Sequence, residues 1–128
     1  MTVLYLDTTN EESIVQLWQS NKILSEIQWV SGRTLGDNLL PEIEKLMNSQ
    51  NLNLSDLNLI AVNPGPGSFT GTRIGVTTAN AIAWSNNIPV VAAQADELSS
   101  IKFKDTVYSQ AVMPKYSSPP SVTVRNNQ

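Results

Sequence analysis

The sequence predicts an α/β domain: a five-stranded mixed sheet, an antiparallel meander followed by a parallel unit, with helices packed on it. Three observations predict it. Residues 3–30 hold three short apolar or alternating runs separated by turn formers. An apolar stripe at helical spacing follows, Leu35, Leu39, Ile43 and Leu46. Then an apolar run, a glycine-rich turn, a second helical pattern and a last apolar run make a strand–helix–strand unit, whose two strands should lie parallel.

In chain order, residues 3–6 are apolar on both faces and end at Asp7-Thr8-Thr9-Asn10, which marks them as the central strand. Residues 13–18 are rich in β-branched and aromatic side chains. Ser20-Asn21 makes a turn, and residues 23–30 alternate in part. The first helix is expected over 35–49, with Thr34 as cap and Asp37 complementing its N-terminus, kinked or frayed before Pro41. Residues 51–56 are a polar connector and 57–62 a buried fourth strand. The second helix is expected over 72–85, capped by Thr70 and stopped by Asn86-Asn87 and Pro89. Residues 89–93 read as a fifth strand, and 96–100 as the start of a third helix.

Composition narrows the chemistry. A chain of 128 residues, 41% of them hydrophobic, suffices for one core without disulfide or metal staples. Eight basic against eleven acidic residues argue against a primary nucleic-acid or anionic-membrane binder. With neither cysteine nor histidine, thiol nucleophiles, histidine bases and most zinc sites are excluded, and no cofactor or metal is expected. The N-terminus has no basic stretch before Asp7, and no apolar run nears the roughly 20 residues that span a bilayer, so a soluble cytoplasmic protein is expected. Charge divides the chain: residues 1–100 carry four bases and ten acids, residues 101–128 four bases and one acid. The second stretch also holds Pro114, Pro119 and Pro120, and is expected to be extended or partly disordered.

The segment Gly65 to Gly71 lies between a strand and a helix, where backbone amides can bind anions. It is not a P-loop, because Gly71 precedes Thr72-Arg73 and no lysine lies between Lys45 and Lys102. Nor is it a dinucleotide fingerprint: the third glycine position falls on Thr70, and Val90-Val91 stands where an acid is needed. A purely structural turn is the plainer reading. Arg73 could meet an anion or a partner's carboxylate, or simply be solvated. The following helix has no clean polar face, with Ile74, Val76, Ala79, Ala81, Ile82, Ala83 and Trp84 spread round it. Such a helix must be covered on more than one side, by the first helix and the sheet or by a partner.

The run from Asn63 to Gly75, with Gly65, Pro66, Gly67, Ser68, Phe69, Thr70, Gly71 and Arg73, resembles the signature of the TsaB (YeaZ) family. Leu4-Tyr5-Leu6-Asp7-Thr8-Thr9 is similar to the family's first strand and turn, and residues 33–47 lie where its first long helix lies. Pro114-Lys115-Tyr116 and Pro119-Pro120-Ser121-Val122 resemble its C-terminal segment. The resemblance implies one lobe of the actin-like, Hsp70 and sugar-kinase (ribonuclease H-like) fold over residues 1–100, with the second lobe absent. It implies a non-catalytic subunit that pairs with a TsaD-type protein in threonylcarbamoyl modification of tRNA adenosine. A TsaE-type ATPase would join the larger assembly, with a homodimer when alone and tRNA contacted only indirectly. The interface is expected on the two helices, at Leu35, Leu39, Ile43, Gly71, Ile74, Gly75, Thr78 and Ile82, the small residues permitting close approach. Asp7 and Thr8 would be a vestigial nucleotide or metal position; Thr9 replaces the kinases' glycine, and TsaD's metal-binding His-x-x-x-His is impossible without histidine. Two rivals remain: a small ATP-binding or phosphotransfer domain using Asp7 and the glycine turn, and a stand-alone homodimer.

Overall fold

The computed structural model describes residues 1–100 and 112–113. The expected basic tail therefore lies outside the described residues, Val112 and Met113 apart. Strands β1 (Thr2–Asp7), β2 (Glu12–Gln19) and β3 (Lys22–Val30) form the meander, and a 3-10 turn at Gly32–Thr34 leads into α1 (Leu35–Ser49). A second such turn, Leu54–Asp56, precedes β4 (Leu59–Val62); α2 (Phe69–Asn86), β5 (Val90–Ala92) and a 3-10 segment at Ala95–Ser100 follow. The sheet order is β3-β2-β1-β4-β5. β1 pairs antiparallel with β2 and parallel with β4, so the central position read from its two apolar faces holds.

Local chemistry explains the joints. β2 and β3 are linked by Ser20 and Asn21, both at positive φ (54° and 65°), the geometry that matches the twist of two antiparallel strands. The asparagine at the end of α2, Asn87, adopts the left-handed conformation (φ 55°) and its amide returns to the Ala83 and Trp84 carbonyls. Of the two expected caps, one keeps its place without a capping bond and the other moves. Thr34 stands at the N-cap of α1, but its hydroxyl donates to the Ser31 carbonyl (2.7 Å) and caps no helix amide. At α2 the cap is Ser68 rather than Thr70: its hydroxyl accepts from the Gly71 amide at 3.1 Å, so the helix starts three residues early. α1 is helical without a break from Leu35 through Pro41 to Ser49, so it is not frayed before the proline. The fourth strand begins at Leu59, since the turn at Leu54–Asp56 uses the residues before it, and the last helix is a 3-10 segment.

The sheet has two apolar faces. On one, Leu4, Leu6, Val15, Leu17, Ile60 and Val62 meet Leu35, Leu39, Ile43, Leu46 and Met47 of α1 and Val76, Ala79, Ile82 and Ala83 of α2. On the other, Val3, Tyr5, Leu59 and Ala61 pack with Ala93 and Leu98. Among the described residues no helix is long and apolar enough to cross a membrane. The neighbours Leu39 and Leu40 separate core from surface, at 1% and 45% exposure. Leu39→Ala should cost about 2–5 kcal/mol in urea unfolding, while Leu40→Ala should stay within about 0.5 kcal/mol of the parent.

Candidate functional site

β1 and β4 end side by side, and the turn after β1 meets the glycine-rich loop after β4. Asp7 holds this junction. One of its oxygens accepts from the Thr9 amide (3.0 Å) and the Thr9 hydroxyl (2.7 Å); the other accepts from Asn63 Nδ2 (3.1 Å) and lies 3.5 Å from the Tyr5 hydroxyl. Asn63 Oδ1 in turn accepts from the Gly65 amide at 3.0 Å. A carboxylate is acceptor-only, and here its oxygens are engaged by groups of its own strand, turn and neighbouring loop. Burial pushes the Tyr5 phenol well above its ordinary value, and the adjacent Asp7 charge adds to the shift.

Thr8 and Thr9 are buried against the loop. The Thr8 hydroxyl donates to the Gly71 carbonyl (2.6 Å), and the Thr9 carbonyl accepts from the Ser68 amide (2.9 Å). Three glycines make this approach possible. A Cβ on Gly67 would collide with Thr9 Cβ and stand 2.6 Å from the Thr9 carbonyl. One on Gly71 would lie 2.5 Å from the Thr8 carbonyl and 2.6 Å from Ser68 Oγ, and one on Gly75 would collide with Thr8 Oγ1. Gly65 is needed for another reason, its φ of +103°, and is joined to Pro66 by a cis peptide. The loop's glycines are thus spent on the turn of the same chain.

The structure gives the residues expected at an interface two different surroundings. Gly71 and Gly75 face Thr8. Leu35, Leu39, Ile43 and Ile82 are buried in the core, because the stripe that would be offered to a partner is the one that packs on the sheet. Ile74 and Thr78 stay half-exposed, beside exposed Gly36, Leu40, Thr77 and Ala81. A Cβ on Gly36 would reach Ile74 Cδ1 at 3.9 Å, so the two helices meet at this seam. Arg73 lies over the Phe69 ring, 5.3 Å from its centroid, both on the exposed side of the first turns of α2. Trp84 is the most exposed aromatic of the described residues, at 86%. A cavity of about 310 Å³ opens beside the seam, lined by Asn10, Glu11, Arg33, Leu35, Thr70 and Ile74 among others. No cluster of three or more carboxylates that could hold a metal occurs among the described residues. The sequence reading missed Tyr5, Thr9 and Asn63 as partners of Asp7; the only signal was their place at the ends of two strands now seen to be adjacent.

The family model described as TsaD, tRNA N6-adenosine threonylcarbamoyltransferase, matches residues 23–95. The tRNA threonylcarbamoyladenosine biosynthesis protein TsaB of Bacillus subtilis (strain 168) is 35% identical over 97 residues, 76% of this chain and 42% of the relative. The protein of the same name from Escherichia coli (strain K12) is 31% identical over 91 residues, 71% of this chain and 39% of the relative. Among solved structures, YeaZ from Pseudomonas aeruginosa superposes with a TM-score of 0.68 at 33% identity, covering 73% of this chain and 43% of its own. The chain therefore spans about two fifths of the length of the relatives it matches, and the expected ribonuclease H-like lobe holds over the described body.

Two outcomes follow from the junction of β1, its turn and the glycine loop. Gly75→Ala should destabilise by about 1–3 kcal/mol through overpacking, and Thr8→Ala by about 1 kcal/mol through the lost hydrogen bond. The pair together should cost less than the sum of the two in a double-mutant cycle, because Thr8→Ala removes the atom that the new methyl strikes. Secondly, the unfolded chain releases the Tyr5 proton from about pH 10, where the folded chain still holds it. The folded state then binds more protons, so stability should fall as pH rises above that point. Tyr5→Phe should flatten this alkaline limb in pH-dependent unfolding.

Proposed function

The chain belongs to the family that unites TsaD with TsaB (YeaZ), and on that premise we propose that it is a cytoplasmic, non-catalytic subunit in the synthesis of threonylcarbamoyladenosine on tRNA. It pairs with a TsaD-type protein through the outer side of α1 and α2, and the pair takes up a TsaE-type ATPase. Alone, the same face joins two copies. The tRNA is met through the partner, in keeping with the acidic balance of residues 1–100.

The observation that carries this reading is the division of labour at the glycine loop. Asp7, Thr8 and Thr9 are consumed by internal hydrogen bonds and close packing, which favours a structural role for residues that a phosphotransfer enzyme would turn toward nucleotide. The helix seam behind them, by contrast, leaves apolar groups in solvent. Leu40 and Ala81 are exposed and Ile74 is half-exposed, next to Gly36 and Thr78, whose small side chains allow a second helix pair to come near. Core-facing Leu35, Leu39, Ile43 and Ile82 position this surface without touching the partner.

Light scattering on a sizing column tests it, first with the chain alone and then mixed with the TsaD protein of the same organism. A mixed complex is expected, formed at the expense of any homodimer. Leu40→Asp should weaken pairing at least about tenfold with the melting temperature little changed, since the site is on the surface. Gly75→Leu would not serve, because it strikes Thr8 and tests folding instead. No complex with TsaD, or normal pairing by Leu40→Asp, overturns the proposal.

A further inference from the structure

The flank of α2 away from α1 carries a feature that the pairing face does not use. Asn80 lies six residues beyond Ile74, about 120° round the helix at 100° per residue. It is on the other side of the buried line Val76, Ala79, Ala83 from the α1 seam. Its carboxamide makes two hydrogen bonds with a single residue distant in sequence. Asn80 Nδ2 donates to the Val112 carbonyl at 2.9 Å, and the Val112 amide donates to Asn80 Oδ1 at 3.0 Å. The Val112 side chain is buried, 9% exposed, and joins the core formed by the two helices and the sheet.

A carboxamide offers a donor and an acceptor at the spacing of a peptide group, so it can pair with both polar atoms of one extended residue, as a neighbouring strand would. Aspartate lacks the donor, and alanine or leucine lacks both. Asparagine is also a poorer helix former than alanine, so its place within an 18-residue helix needs a compensating contact. We infer that Asn80 is a backbone clamp: with the apolar socket beside it, it forms a docking site for an extended peptide segment bearing an aliphatic side chain, and its occupant is this chain's own segment at Val112. The clamp holds Val112 against the flank of α2 and leaves the α1–α2 seam open. This inference stands on the Asn80–Val112 geometry and does not depend on the proposed function.

The test uses the full chain with Asn80→Ala, Val112→Ala and the double variant, read by thermal melting and by amide exchange at Val112. Alanine is the better helix former, so the sign of the change decides. If the clamp operates, Asn80→Ala lowers the melting temperature and speeds Val112 exchange on the order of tenfold; Val112→Ala then costs less in the Asn80→Ala background than in the parent. Asn80→Asp supplies a second reading: near neutral pH its carboxylate faces the Val112 carbonyl and should weaken docking, which recovers in acid once the protonated group can donate. A melting temperature raised by Asn80→Ala, unchanged Val112 exchange, or strictly additive effects would overturn the assignment.

Discussion

The turn after β1 and the N-terminal end of α2 touch backbone to backbone, with three missing side chains making room for two threonines. Gly67, Gly71 and Gly75 meet Thr9 and Thr8 at distances that no Cβ could share. Hydrogen bonds from the Ser68 amide to Thr9 and from the Thr8 hydroxyl to Gly71 then lock the contact. The consequences spread outward. β1 and β4 are parallel neighbours, so whatever fixes their adjoining ends fixes the angle at which the loop delivers α2 to the sheet. Once α2 is seated, the position of Ile74 opposite Gly36 is set, and with it the seam between the helices. A shift at Gly75 would move that seam without altering any residue on it.

Asp7 illustrates how one residue type serves unlike ends in one kind of fold. At the tip of a central strand a carboxylate is well placed for cation or phosphate chemistry. Here Thr9, Asn63 and Tyr5 converge on it. Such a group, half-buried and multiply hydrogen-bonded, joins β1, the following turn and the loop after β4 into one unit, and the buried Tyr5 phenol is the cost of drawing polar atoms beneath the surface. Thr9 provides both an amide and a hydroxyl to one carboxylate oxygen, which a glycine in its place could not do.

The second helix resolves the puzzle of its own composition. Its apolar residues point in too many directions for a two-layer domain, and the structure divides them among different neighbours. Val76, Ala79 and Ala83 meet the sheet-side core, Ile74 meets α1, and Val112 closes part of the remaining flank through Asn80. What the helix leaves in solvent lies at Phe69 in its first turn, Ala81 near the seam and Trp84 toward the C-terminal end. The low polarity of the helix is thus mostly spent on internal packing, and its outward surface is narrower than the sequence pattern alone suggests.

Local chemistry made much of this legible in the amino-acid sequence. Period-two runs placed the meander, the double-faced apolar run of Val3 to Leu6 put β1 at the centre, and helical spacing gave α1 its bounds, because these patterns depend on which faces must leave water. The glycine-rich signature also carried the family. Other features depend on contacts between residues far apart in the chain, and no local pattern encodes them. Asp7 and Asn63 are 56 residues apart and Asn80 and Val112 are 32 apart, yet each pair closes a hydrogen bond. A glycine reads the same whether it admits a neighbouring turn or a foreign helix, and a leucine at helical spacing reads the same whether it faces the sheet or a partner. The sequence by itself determined the elements, their order and the family; only the tertiary structure decided what each small or apolar side chain faces, because that is a property of the packed chain and not of any segment of it.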